Sequence, residues 1–224
     1  MESPFRASDL TDPALRLIET FAWDGAAFPR LDRHLARMGA SAAALGFAFD
    51  EAAARAALAP IGGATPLRVR LTLDRAGRAE AATAPLPPAA PFWRIRLAPE
   101  RLDAADPWLR HKTTRRALYD RTRAALPEGI HEAIFANREG LLCEGTITTL
   151  FFDLGAGLRT PPLACGCLPG ILRAELLAAG RAAEEPLPLD ALPRARLWAG
   201  NALRGLIPAS LRPDPAPGRG RAPA

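Results

Sequence analysis

The chain has 224 residues and a mass of 23.9 kDa, which is long enough to bury a core in one large domain or two small ones. Its hydrophobic content of 49% is that of a globular protein, and no apolar run reaches the roughly 18 residues that a membrane helix needs. The formal net charge is +5, but the arginines are dispersed without a nucleic-acid recognition motif, so we expect a solvated basic surface and no nucleic-acid partner.

Two further features narrow the class of protein. The N-terminus lacks a signal-peptide pattern, so we expect a cytoplasmic protein. The three cysteines are an odd number, and Cys165-Gly166-Cys167 lacks the two-residue spacer of common zinc and redox motifs. Because the chain has only three histidines and no histidine–cysteine cluster, we expect no metal site.

The first half of the chain alternates strand and helix patterns. Periodicity predicts a strand over 15–23, helices over 30–45 and 50–58, and strands over 67–73 and 78–83. Asp24-Gly25 reads as a turn, after which the next apolar residues are expected to pair back as a hairpin. This half forms a predicted N-terminal domain over 1–84.

A proline-rich linker over 85–91 separates this half from the second domain, because four prolines between 84 and 91 exclude regular structure. The second domain is predicted over 92–211, followed by a disordered tail over 212–224 that is rich in Pro, Gly, Arg and Ala. Its predicted elements are strands over 92–97, 132–137, 146–153 and 196–199, and helices over 113–125 and 171–180.

Lys112 is the only lysine of the chain, against 28 arginines. Arginine and lysine are interchangeable as solvated surface charge, but a guanidinium stays protonated and is a poor nucleophile. A lysine in an arginine-rich chain is therefore a candidate for covalent attack on a carbonyl. Taken alone, the pattern is equally consistent with a chance leftover of arginine-biased composition.

Two other stretches supply the chemistry that would accompany such a lysine. Glu144 and Gly145 interrupt an apolar, β-branched run over 141–152. Leu168-Pro169-Gly170 forms a turn that opens directly onto a helical pattern, and a helix start presents free backbone N–H groups to a phosphate. Pyridoxal phosphate requires these three features: a lysine for its aldehyde, an acid for its ring nitrogen and a cradle for its phosphate.

The three stretches resemble the fold-type IV pyridoxal-phosphate enzymes of the class IV aminotransferase family. The closest likeness is to aminodeoxychorismate lyase and to the lyase-like domain fused to aminodeoxychorismate synthase. The run His-Lys-Thr-Thr-x-Arg-x-x-Tyr-Asp, from His111 to Asp120, is most similar to that fused subgroup, as is the short N-terminus before Glu19-Thr20. The resemblance spans roughly residues 17–208 and implies an α/β (α+β) fold of two domains with the cofactor between them.

The resemblance also implies a role for individual residues. Lys112 would bind pyridoxal phosphate covalently and move protons, and Glu144 would keep the ring nitrogen of the cofactor protonated. Arg37, which shares a helix face with His34, would bind the phosphate through its guanidinium. The remaining expected cofactor contacts are at Ile171, Leu172, Asn201 and Ala202.

Several of these residues have plainer alternatives. Glu144 would otherwise be a solvent-facing acid at a strand end, and Arg37 a solvated helix residue. Tyr119 is a candidate contact for the ring or the substrate, or else a core residue. Two positions depart from the family pattern: Leu172 replaces a frequent hydroxyl residue, and Thr149, a candidate substrate contact, replaces a common asparagine.

The resemblance implies a 4-amino-4-deoxychorismate lyase that releases pyruvate and 4-aminobenzoate. A branched-chain or D-amino acid aminotransferase would use the same cofactor residues and is the first alternative. A non-catalytic binding protein is the second, which loss of Lys112 or Glu144 would have favoured. A small-molecule amino substrate, a homodimer and a functional partnership with aminodeoxychorismate synthase are also expected, with no membrane association.

Overall fold

The computed structural model describes residues 5–211, so the predicted tail over 212–224 lies outside the described residues. The helices of this part are α1 (Ala7–Leu10), α2 (Leu31–Leu45), α3 (Glu51–Leu58), α4 (Ala117–Ala124) and α5 (Ile171–Ala178). The strands are β1 (Leu17–Trp23), β2 (Leu67–Leu73), β3 (Ala79–Pro85), β4 (Trp93–Leu102), β5 (Glu132–Asn137), β6 (Leu142–Gly145), β7 (Thr149–Asp153), β8 (Arg159–Thr160), β9 (Ala183–Glu184), β10 (Arg196–Asn201) and β11 (Gly205–Leu211). Helices packed on one antiparallel and one mixed sheet confirm the predicted α/β (α+β) class, and no described helix is long and apolar enough to cross a membrane.

The smaller sheet has the antiparallel order β1-β2-β3 and packs against α2 and α3. Strict alternation on β2 buries Val69 and Leu71 against the helices and turns Arg68 and Arg70 to the opposite face. On α2, an apolar stripe with helical spacing faces the sheet, and each fully buried leucine in it stabilises the fold by about 1.5–3 kcal/mol. Gly46 ends α2 in the left-handed region, at a φ of 70°.

The larger sheet has the order β10-β11-β4-β5-β6-β7-β8-β9. Because β7 also pairs with β10, six of these strands close into a ring: β10, β11, β4, β5, β6 and β7. Every residue of β5 and of β7 is buried, as expected for strands that are covered on both faces. Closure leaves these strands without a free edge and holds the ends of β6 and β10 in a fixed position.

The predicted hairpin after Asp24-Gly25 is wrong. Asp24 accepts the backbone N–H groups of Ala26 and Ala27, and this turn leads into α2 rather than into a returning strand. The partner of β1 is β2, with Leu17 opposite Leu73 at the far end of the register. The pairing is long-range in sequence, which local periodicity does not reveal.

Three predicted elements differ clearly in extent. The strand expected over 92–97 continues to Leu102 in β4. The helix expected over 113–125 begins only at Ala117, because residues 112–114 bond to the chain around β1 instead. The strand expected over 146–153 begins only at Thr149, as β7, and residues 146–148 connect it to β6. Glu132, which is fully buried, accepts the N–H groups of Thr146 and Ile147, so these residues turn away from the ladder.

Candidate active site

A cavity of about 800 Å³ is lined by residues of both sheets. It brings together eight of the nine residues that the sequence marked: Lys112, Glu144, Arg37, Tyr119, Thr149, Ile171, Asn201 and Ala202. Leu172 is the exception, because its side chain packs with Phe151 and Leu176 and only its backbone remains available at the helix start. Residues far apart in sequence thus share one concave site.

Lys112 lies in the segment between β4 and α4, where this segment contacts β1 of the smaller sheet. Its carbonyl accepts the N–H of Ile18 at 2.8 Å, and its neighbour Thr113 forms an isolated bridge with Leu17. Burial and the charge of Arg37 lower the pKa of Lys112 to about 8, against the opposing effect of nearby carboxylates. A usable fraction of the amine is therefore neutral near pH 7, as a nucleophile or a base requires.

Glu144 lies at the end of β6, opposite Thr149 of β7, and is 7% exposed. One carboxylate oxygen accepts the hydroxyl of Tyr119 at 2.8 Å, and the other accepts the N–H of Leu168 at 2.9 Å. Burial raises the pKa of Glu144 to about 7, and the two hydrogen bonds oppose this only in part. The solvent-facing alternative for Glu144 is thereby excluded. Tyr119 faces this carboxylate and also packs edge-on against Phe135, at 5.1 Å between ring centroids.

Arg37 forms two bonds to a buried carboxylate that the sequence did not mark. Its Nε and Nη2 donate to the oxygens of Glu19 at 2.8 and 2.6 Å, and Nδ1 of His34 lies 2.6 Å from the same group. Burial acts to raise the pKa of Glu19, but Arg37 and His34 outweigh it and lower the pKa to about 2. The third donor of Arg37, Nη1, bonds to the carbonyl of Pro169 at 3.0 Å. The guanidinium is therefore fixed beside the start of α5.

The start of α5 meets the turn after β10 at the same end of the cavity. The first helical N–H groups have no partner within a helix, and they point out of its N-terminus. A Cβ on Gly170 would lie 2.5 Å from Oγ1 of Thr149, and one on Gly200 would lie 2.9 Å from Cδ2 of Leu172. A side chain at either position would force a neighbouring side chain to shift, so glycine allows the start of α5 and the end of β10 to pack closely here.

The side chain of Asn201 is used by the protein itself. Its amide donates to the carbonyl of Ile147 at 3.1 Å, and its oxygen accepts the N–H groups of Leu203 and Arg204 at 3.1 and 3.0 Å. Any contact of Asn201 with a ligand must therefore use its backbone, as expected from the sequence. The side chain instead joins the β10–β11 turn to the loop that follows Glu144.

These residues fit the three requirements of pyridoxal phosphate. Lys112 offers an amine with a lowered pKa, and Glu144 offers a buried acid whose pKa lies near neutrality. Arg37 and the start of α5 offer a guanidinium and free N–H groups for a phosphate. Among residues 5–211, no group of three or more His, Cys, Asp or Glu side chains is placed to hold a metal ion.

Sequence reasoning missed Glu19 and the arginines of β2. Glu19 lies on the first strand among apolar residues, and a buried acid there is visible only once its partners on α2 are known. Arg68 and Arg70 were detectable in principle, because strict alternation places them together on one face of β2. What the alternation does not reveal is that this face lines the cavity.

The family model for class IV aminotransferases matches residues 16–211. A candidate amino-acid aminotransferase from Mesorhizobium loti has 48% sequence identity and a TM-score of 0.84, over 88% of this chain and 100% of that one. A comparison with curated proteins gave no match.

Two more distant structures share the fold. The 4-amino-4-deoxychorismate lyase from Pseudomonas aeruginosa has 23% identity and a TM-score of 0.73, over 88% of this chain and 82% of that one. A hypothetical aminotransferase from Mycobacterium tuberculosis, in a form with pyridoxal phosphate bound, has 20% identity and a TM-score of 0.70, over 88% and 81%. At these identities the likeness shows the fold alone.

Proposed function

Because the chain belongs to the class IV aminotransferase family of pyridoxal-phosphate-dependent enzymes, we propose that it is a 4-amino-4-deoxychorismate lyase. The reaction would release pyruvate and 4-aminobenzoate. The observation that carries this proposal is the position of the segment from His111 to Asp120, which resembles the lyase-like domain of the fused synthase. Nine of its ten residues line the cavity, and only Thr114 does not. The resemblance therefore concerns residues around the reactive amine rather than a remote surface.

The chain supplies the groups that would bind the cofactor and the groups that would move protons. When bound, pyridoxal phosphate supplies an aldehyde for the substrate amine and a ring that accepts electron density from the amine-bearing carbon. Lys112, with a pKa of about 8, removes the proton from that carbon. Glu144 holds a proton at the ring nitrogen, and Tyr119 and the N–H of Leu168 keep its carboxylate in place. Arg37 anchors the phosphate end.

The lyase reaction is balanced without a second substrate. One proton leaves the amine-bearing carbon, and the neighbouring carbon–oxygen bond to the enolpyruvyl group breaks. The departing group gains one proton and becomes pyruvate, while the remaining ring becomes aromatic as 4-aminobenzoate. No oxidant or reductant is required. The chain therefore needs only a base at the amine-bearing carbon and a stabilised cofactor, which Lys112 and Glu144 provide.

An aminotransferase is the second candidate, and the 48% identity to the Mesorhizobium loti protein favours it. An aminotransferase uses the same lysine, acid and phosphate contacts, but it returns the proton to the cofactor and needs an acceptor keto acid. The two functions differ in one observable property. A lyase keeps its cofactor in the aldehyde form through turnover, whereas an aminotransferase converts it when a donor is present alone.

The deciding experiment follows the visible absorbance of the cofactor-loaded protein. Leucine, glutamate and D-alanine are added one at a time without a keto acid. Aminodeoxychorismate, generated from chorismate and glutamine by aminodeoxychorismate synthase, is added separately and 4-aminobenzoate is measured. Formation of 4-aminobenzoate without bleaching by any donor supports the lyase. Rapid bleaching by one donor, without the aromatic product, identifies an aminotransferase instead.

A further inference from the structure

Three arginines of the cavity have no role in the site described so far. Arg68 and Arg70 project from the β2 face that does not pack on α2 and α3. Arg204 lies in the turn between β10 and β11, with its guanidinium 5.7 Å from the centre of the Trp93 ring. All three line the same cavity as Lys112 and Glu144. The smaller and the larger sheet therefore each contribute positive charge to one site.

The other cavity arginines already have partners. Their ion pairs are Arg37 with Glu19, Arg115 with Asp9, Arg116 with Asp120, and Arg123 with Glu132. Arg101 donates to backbone carbonyls. Within residues 5–211, no hydrogen bond or ion pair joins the guanidinium of Arg68, Arg70 or Arg204 to a carboxylate or a carbonyl, and of the three only Arg204 lies over an aromatic ring, that of Trp93. The cavity thus contains three guanidiniums without a bonded acceptor, although Asp120 near Arg70 and Glu132 near Arg204 oppose the lowering of their pKa values.

These charges are close enough to affect one another. Burial lowers the pKa of Arg204 most, and the charges of Arg123 and Arg68 lower it further. The pKa of Arg70 is likewise lowered by burial and then by the charge of Arg116. Like charges placed together in a partly desolvated site repel one another when the site is empty, and this repulsion favours binding of an anion.

The anion is not the phosphate of the cofactor. Arg37 is fixed beside Pro169 at the start of α5, so the phosphate end of the site has its own guanidinium and N–H groups. The unpaired arginines come instead from β2 and from the turn after Asn201. An amino acid with an apolar side chain carries one carboxylate, which one guanidinium can bind with two parallel hydrogen bonds. Three free guanidiniums exceed what such a substrate requires.

We propose that Arg68, Arg70 and Arg204 form a binding site for an amine substrate that carries two carboxylates. This inference rests on the proposed function for the position of the reacting amine. Aminodeoxychorismate belongs to this class, because it has one carboxylate on its ring and one on its enolpyruvyl group. Leucine and other branched-chain amino acids do not. The arginines therefore set substrate specificity and have no part in the proton transfers.

The test measures binding of benzene-1,3-dicarboxylate and of benzoate to the cofactor-loaded protein by titration calorimetry. The wild type should bind the dicarboxylate roughly ten- to a hundredfold more tightly, as one additional charge-assisted contact provides. Arg68→Gln, Arg70→Gln and Arg204→Gln should each reduce this preference. Arg78→Gln is the matched control, because Arg78 lies just before β3, is paired with Glu80 and is outside the cavity.

A kinetic arm separates this inference from the proposed function. With aminodeoxychorismate, the three variants should raise KM roughly tenfold or more and leave kcat little changed. A dicarboxylate preference that depends on these arginines, without formation of 4-aminobenzoate, would support the inference and reject the lyase. Lyase activity with unchanged KM in all three variants would reject the inference alone. Equal binding of the two ligands by the wild type would overturn it without any variant.

Discussion

Two buried carboxylates, Glu19 and Glu144, both act on Lys112, yet their own pKa values shift in opposite directions. Glu19 is 1% exposed and Glu144 is 7% exposed, so burial penalises the charged form of each. The pKa of Glu19 falls to about 2, whereas that of Glu144 rises to about 7. Their different partners explain the difference. A guanidinium and an imidazole contact Glu19, and an amide N–H and a phenol contact Glu144.

Glu19 therefore has a structural role, whereas Glu144 is suited to a role in proton transfer. Glu19 stays ionised over the physiological range and serves to fix Arg37 beside α5. Glu144 has only neutral donors, so its carboxyl can exchange a proton near pH 7. A protonated ring nitrogen placed next to Glu144 would supply the missing positive charge and lower its pKa. The bound cofactor would thus lower the pKa of Glu144, as Arg37 lowers the pKa of Glu19.

The largest effect is expected from removing the charge of Glu144. Glu144→Gln should retain the cofactor but lower kcat by roughly 10²–10³, because an amide cannot hold the ring nitrogen protonated. Glu19→Gln is the matched control: it should weaken cofactor binding while sparing the turnover of the loaded protein. Turnover and cofactor affinity are measured for both variants. Near wild-type turnover in Glu144→Gln would remove this residue from the mechanism.

The free energy of unfolding of the cofactor-free protein should depend on pH in opposite ways through Glu144 and Glu19. Since the folded pKa of Glu144 exceeds its ordinary value of 4.5, the native state binds more protons, and stability should fall as pH rises from 4.5 to 7. The loss should be about 3 kcal/mol. Glu19 has the opposite sign, so its contribution is present above pH 4.5 and is lost as pH falls towards 2.

Urea unfolding at a series of pH values measures both contributions. Glu144→Gln should remove the fall between pH 4.5 and 7 and preserve the loss of stability in acid. A variant with the same pH profile as the wild type would show that Glu144 does not titrate near neutrality.

A smaller effect is expected at the phosphate end. Arg37→Ala should weaken binding of pyridoxal phosphate by roughly ten- to a hundredfold, since a charge-assisted hydrogen bond contributes about 1.5–3 kcal/mol. Saturating cofactor should restore much of the rate, because the phosphate is remote from the reacting carbon. Fluorescence titration gives the affinity. Arg33→Ala, on the exposed face of the same helix, is the control and should bind normally. Unchanged affinity in Arg37→Ala would leave the residue only its bond to Glu19.

The smallest effect concerns the phenol that contacts Glu144. Tyr119→Phe removes a hydrogen bond that favours the ionised carboxyl, so the pKa of Glu144 should rise further. The net contribution of one hydrogen bond is about 1 kcal/mol, which corresponds to a severalfold change. The pH profile of cofactor binding should move to higher pH in this variant. An unchanged profile would show that Tyr119 does not influence the pKa of Glu144 and contributes only its packing against Phe135.

Local chemistry could be predicted from the sequence, and long-range placement could not. The apolar stripe of α2 and the alternation of β2 gave these elements nearly to the residue. The pairing of β1 with β2 and the late start of β7 at Thr149 depend on partners distant in the chain. The same holds within the site. Lys112 stood out by composition, whereas Glu19 is recognisable only through its contact with Arg37.

The central claim is that Lys112 is the residue that binds pyridoxal phosphate, and reductive trapping tests it most directly. The protein is loaded with the cofactor, reduced with borohydride, digested and mapped by mass spectrometry. Because Lys112 is the only lysine, the N-terminal amine is the main competing site. A yellow protein whose single reduced adduct lies on Lys112 is the predicted result. A colourless protein without an adduct, or an adduct on the N-terminus alone, would contradict it.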